Sequence, residues 1–128
     1  MLELSKGEIV QFNIDINGEY KDIFKELREL ILSYPQMSEL KNAKQTSYSD
    51  EFGVVVMLRG TKVGFVLSFG RGAKLISKFP QLSGNGKIVR QLTIQDKSSL
   101  DLELIKEILE ESFILGLEQQ ALKELTQK

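Results

Sequence analysis

The chain of 128 residues contains no cysteine and no histidine. Lack of cysteine excludes disulfides, zinc ribbons and thiolate catalysis. Lack of histidine removes the usual general base near neutral pH and the commonest ligand of transition metals. Serine–histidine and cysteine–histidine hydrolase schemes are therefore excluded, and any metal would depend on carboxylate and carbonyl oxygens. An enzyme would be left with a carboxylate pair or a perturbed lysine, and no spacing singles one out, so neither a catalytic residue nor a cofactor is expected. Long apolar runs are missing as well. Stretches such as Val54–Leu58 fall far short of a membrane span, and the opening MLELSKGEIVQF has no apolar run of useful length. The chain reads as soluble and cytoplasmic, without membrane contact.

One further absence is local. Between Phe52 and Gln95 there is no Asp or Glu, while Arg59, Lys62, Arg71, Lys74, Lys78, Lys87 and Arg90 supply seven positive charges. Residues 1–51 hold ten acids against six bases, and 96–128 hold eight against four. The net charge of −1 thus conceals a basic middle between acidic ends. That middle is where an anionic partner is expected.

The chain length suits one domain with a core of its own, and no linker, internal repeat or low-complexity tract divides it. Residues 9–16 show a partial period of two that suits a short strand, and Asn17-Gly18 is a turn signal. Tyr20, Ile23, Phe24, Leu27, Leu30 and Ile31 share one helical stripe, which Pro35 stops. Residues 36–44 suit a short polar helix. Thr46–Ser49, Gly53–Leu58, Val63–Phe69 and Lys87–Ile94 have the Val, Ile, Phe and Thr content of strands. Arg59-Gly-Thr-Lys62 is short enough to make a hairpin of the middle two. Leu75–Phe79 reads as a helical turn ended by Pro80.

Ser98-Ser99 offers an N-cap to a last helix with Leu102, Leu104, Ile105, Ile108, Leu109 and Phe113 on one broad apolar face. Gly116 is expected to end or loosen it, with 117–126 continuing as a weaker helix. The order predicts an α+β domain: two layers, an antiparallel sheet with helices packed on one face.

Two segments carry candidate chemistry. Gly70-Arg-Gly72 with Lys74, and Gly84-Asn-Gly86 with Lys87 and Arg90, combine glycines that let backbone amides turn toward an anion with side chains that grip phosphate or carboxylate. If the strand ends meet, Arg71, Lys87 and Arg90 converge. The same glycines equally serve turns and bulges, with the bases as a solvated surface. Spacing excludes a P-loop. In Ile88–Ile94, alternation puts Arg90 on the face of Ile88, Leu92 and Ile94, where an Arg needs a carboxylate or ligand. Nucleic acid is disfavoured as the partner by the acidic overall balance. An anionic small molecule or an acidic protein surface fits better.

Glu103, Glu107, Glu110 and Glu111 on the last helix lie within about 100° of one another around its axis. Such a cluster is either a solvated face or a weak, exposed site for a hard or borderline cation.

The stretch Lys62-Val-Gly-Phe-Val-Leu-Ser-Phe-Gly-Arg-Gly-Ala-Lys-Leu75, followed by Leu82-Ser-Gly-Asn-Gly-Lys-Ile-Val-Arg90, resembles the YdhG-like domain family. Thr46-Ser-Tyr48 is similar to that family's entry into the sheet, with Thr46 where the family has Pro. The resemblance spans roughly residues 20–115 of a single domain covering 1–128. It implies a two-layer domain of the secretion-chaperone-like type that can form a homodimer. Part of the family is assigned as a frataxin-like iron chaperone, which implies weak Fe(II) binding by the four helix carboxylates.

Overall fold

The computed structural model describes residues 10–126. Its elements are α1 (Gln11–Asn17), α2 (Lys21–Leu32), β1 (Ser38–Lys41), β2 (Thr46–Asp50), β3 (Gly53–Thr61), β4 (Gly64–Phe69), β5 (Arg90–Ile94) and α3 (Leu102–Thr126). The five strands form one antiparallel sheet in chain order, β1-β2-β3-β4-β5. Register places Thr46, Leu58, Leu67 and Leu92 in one row across four strands. Phe65, Phe69 and Ile94 lie on the same face, together with Tyr48 and Val56. This face meets Phe12 of α1, Ile23, Phe24, Leu27 and Ile31 of α2, and Ile105, Ile108 and Leu109 of α3 in one core. The other face carries Ser47, Met57, Arg59, Ser68, Gln91 and Thr93. The α+β architecture with helices on the sheet is thus formed as expected. Among the described residues, no helix is long and apolar enough to cross a membrane.

Four local expectations are corrected. The segment expected as a strand at 9–16 is helical from Gln11, and Ile9 lies outside the described residues. Asp15 and the half-buried Ile16 lie three and four residues after Phe12, a spacing that a helix turns to one side, and Phe12 packs edge-on to Phe24 at 5.3 Å. Within 36–44 the polar helix is replaced by β1. Pairing with β2 and a side-chain anchor hold this polar edge strand: Glu39 accepts from Arg28 Nε (2.7 Å), Arg28 Nη2 (3.0 Å) and the Tyr48 hydroxyl (2.8 Å).

The hairpin forms, but β3 runs on through Thr61 and the loop shrinks to Lys62-Val63. Gly60 pairs with Phe65 inside the strand, and Asp15 and Tyr20 leave no room beside it for a side chain. Finally, α3 is not capped by Ser98 or Ser99, which lie in a 3-10 turn capped by Asp96. Asp101 Oδ1 accepts from Leu104 N (3.1 Å) instead; the helix expected over 117–126 does form, joined through Gly116 without a break to Thr126.

The anchor of β1 is testable by amide hydrogen exchange. Glu39→Ala is expected to accelerate exchange across Ser38–Lys41 while β3 and β4 keep wild-type protection. Unchanged β1 protection would mean that backbone pairing alone holds the edge.

Candidate functional site

The two glycine segments do meet. Gly72 lies against the backbone of β5, so close that a Cβ there would be 2.4 Å from Arg90 N. Ala73 N donates to Ile88 O at 2.9 Å, and Ser83 exchanges backbone bonds with Gln91 in both directions, 2.8 and 2.9 Å. Gly70 packs on the carbonyl of Val54, while Gly84 and Gly86 lie in the exposed stretch before β5. The loop after β4 and the loop before β5 are therefore one structural unit.

Arg71 does not face solvent from that unit. Its side chain turns inward and is only 7% exposed, against 4% for its partner Asp50. Arg71 Nη1 donates to Asp50 Oδ2 (3.0 Å), and Nη2 donates to Asp50 Oδ1 (2.9 Å). Nη1 also donates to the carbonyl of Ser112 in α3 at 3.0 Å. This is a two-pronged, charge-assisted grip, which matches the planar fork of guanidinium to a carboxylate.

Small residues on α3 make room for it. A Cβ at Gly116 would lie 3.0 Å from Arg71 Cζ. The Ser112 hydroxyl folds back onto Ile108 O at 2.8 Å. Burial alone would push the Asp50 carboxyl up; the hydrogen bonds from Arg71 and from Phe52 N outweigh it and hold the group below its ordinary value. The guanidinium expected as an anion contact is thus already satisfied within the chain.

Arg90 is half-buried on the core face beside Phe69, as alternation predicts. No carboxylate pairs with it among the described residues. Arg90 Nη1 donates to Gly86 O and to Val89 O (the latter 3.1 Å), tying down the turn of its own loop. Lys74 and Lys87 are exposed, and neither is ion-paired among the described residues. Of the remaining bases in this stretch, Lys78 pairs with Glu111 at 2.9 Å, while Arg59 and Lys62 are exposed.

The acidic stripe stands on the outward side of α3. Glu110 Oε2 accepts from the Tyr34 hydroxyl at 2.8 Å, and burial and this carboxylate push the Tyr34 phenol up to about 12. Glu111 is taken by Lys78. Among the described residues, no three acidic side chains gather closely enough to hold a metal ion.

One buried carboxylate escaped the sequence reading. Asp15 in α1 is 2% exposed; its Oδ1 accepts from Gln11 Nε2 (2.9 Å) and Gly60 N (3.1 Å), while Oδ2 has no donor. It borders a cleft of about 330 Å³ with Tyr20, Thr61 and Lys62. Burial pushes its carboxyl up from the ordinary 3.8, against the lowering effect of those two bonds. The only sequence signal was an acid inside an apolar run.

Asp15 and Asp50 give opposite pH dependences. Asp15 has its folded value raised, so its contribution is fully present below the unfolded value and is lost as pH rises through the folded one. For Asp50 the folded value is lowered, so its contribution is present above the unfolded value and is lost as pH falls through the folded one. The urea midpoint of the wild type is therefore expected to decline on both sides of a maximum. Asp15→Asn is expected to flatten the alkaline-side decline just above the ordinary carboxylate range and leave the acid-side fall in place. An unchanged profile in Asp15→Asn would show that this carboxyl titrates normally.

Compared with family models, curated proteins and solved structures, the chain matches none.

Proposed function

We propose that the protein is a non-catalytic binding module that engages an anionic partner at the junction of the loop after β4 and the loop before β5. Lys74 and Lys87 are the contacts in this reading. Gly72, Gly84, Gly86 and the inward bonds of Arg90 shape the backbone that carries them. The supporting observation is the backbone contact between Ala73 and Ile88, which joins the residues next to both lysines at one place. No acid from residues 53–94 is available to neutralise them.

Magnitude narrows the partner. An exposed lysine contributes about 0–1 kcal/mol per ion pair in water. Two such contacts fall well short of the roughly 4 kcal/mol that corresponds to a millimolar Kd. A lone small anion would be held very weakly, so an acidic protein surface or a small molecule with several negative groups is the fitting partner. Arg71 has no part in the contact; it supports the loop from beneath.

Pyrophosphate titration followed by amide NMR shifts at low salt tests this. Shifts are expected at residues 72–74 and 86–90, diminished by added salt and lost in Lys74→Ala with Lys87→Ala, with the rest of the spectrum unchanged. No shift in those segments at tens of millimolar ligand, or shifts that survive the double substitution, would overturn the reading.

A further inference from the structure

Helix α3 has two apolar faces, and its own domain covers only one. Ile105, Ile108, Leu109, Ser112 and Gly116 are buried against the core. About 180° around the axis run Ile114, Leu117, Ala121 and Leu125, continuing the line of Glu103, Glu107, Glu110 and Glu111. Ile114 is 46% exposed, Leu117 57% and Leu125 66%. All of residues 121–126 are exposed, so the end of the helix stands clear of the sheet. A surface helix ordinarily buries its one apolar stripe and turns polar residues outward. A second stripe on the outward side needs a cover from elsewhere.

Where the acidic and apolar halves join, Lys78, Phe79, Glu107, Glu110, Glu111 and Ile114 line a groove of about 280 Å³. Phe79 and Ile114 give it apolar walls and three carboxylates surround them. An arginine or lysine suits such a groove: its aliphatic stem lies on the apolar walls while its charged head meets the carboxylates. The Lys78 to Glu111 pair at 2.9 Å is the only ion pair made to this stripe among the described residues.

The charges also bear on self-association. Glu118 borders the apolar half, Glu124 stands within it along the axis, between Ala121 and Leu125, and Lys123 lies on the far side of the helix. A two-fold antiparallel pairing sets like flank against like flank, which puts carboxylate beside carboxylate. A parallel pairing stacks the two acidic halves. Pairing this face with itself therefore leaves its carboxylates without cations, and a basic partner surface is needed.

We infer that the outward face of α3, from Glu103 to Leu125, docks an amphipathic helical segment of another protein, with basic residues over the carboxylates, an arginine or lysine in the groove beside Phe79, and apolar residues over Ile114, Leu117 and Leu125. This mode is a helix laid along a helix, read out at three- and four-residue spacing. It is separate from the lysine junction and of opposite chemistry.

The probe is a labelled helical peptide of about five turns, with arginines grouped at one end of its apolar stripe and leucines at the other. A scrambled peptide of equal composition is the control, and binding is followed by fluorescence anisotropy. The patterned peptide is expected to bind at least about tenfold more tightly than the scrambled one. Glu107→Gln with Glu110→Gln should weaken it about tenfold and reduce its salt dependence. Leu117→Ser with Leu125→Ser should weaken it about tenfold at every salt concentration. Both pairs are at exposed positions, and circular dichroism would confirm an intact fold. Equal binding of the two peptides, or indifference to both pairs of substitutions, would overturn the inference. So would a dimer in sedimentation that Leu117→Ser with Leu125→Ser abolishes, since the face would then belong to a second copy.

Discussion

The buried pairing of Arg71 with Asp50 is the constraint on which the arrangement of this molecule depends. It ties the end of β2, the loop after β4 and the middle of α3 together in one set of hydrogen bonds. The cost of desolvating two charges offsets most of their attraction, so the pair adds little net stability over a well-packed apolar alternative. Its effect lies in geometry: the Ser112 carbonyl bonds the paired guanidinium, so a displaced α3 would forfeit that bond and uncover the pair. Gly116 carries the corresponding cost. Glycine inside a helix is about 1 kcal/mol less favourable than alanine, and here it gives the guanidinium a place to lie.

With Arg71 withdrawn, the charge pattern of the surface acquires a different meaning. The basic middle of the chain supplies one internal cation and several exposed ones, and its loops are stiffened from within by Arg71 and Arg90. Lys74 and Lys87 are left outside on a fixed backbone. On the outward side of α3, the acids and then the apolar residues are displayed in a line. A module with one basic junction and one acidic and apolar face is suited to holding two partners of different chemistry. That is the common ground of the two readings proposed above.

Helical periodicity made α2 and most of α3 legible, and β-branched and aromatic content made β2, β3 and β4 legible, because burial of one face leaves those patterns in the sequence. For α1 the pattern was ambiguous: Ile9 to Ile16 fits a partial period of two and also a helical face through Phe12, Asp15 and Ile16. β1 is polar and is held by pairing and by Glu39, which leave no periodic trace. The sequence also raised the meeting of the two glycine segments, and they are neighbours in space. What it did not reveal is the direction of a side chain. Arg71 sits in a glycine-flanked loop of basic residues, and residue type alone suggested solvent. A signal was present elsewhere, in Ser112 and Gly116 one turn apart on the buried face of a helix otherwise lined there by Ile and Leu. Small residues at that spacing mark a place where something large inserts.

A double-mutant cycle on Arg71→Ala and Asp50→Ala, followed by urea unfolding, tests the central claim most directly. If the pair is the buried tie described here, each single substitution costs about 3–5 kcal/mol by stranding its partner, and the double costs little more than either single. Single effects within about 0.5 kcal/mol of wild type that simply add would contradict it, since Arg71 would then be a surface residue free to meet a ligand.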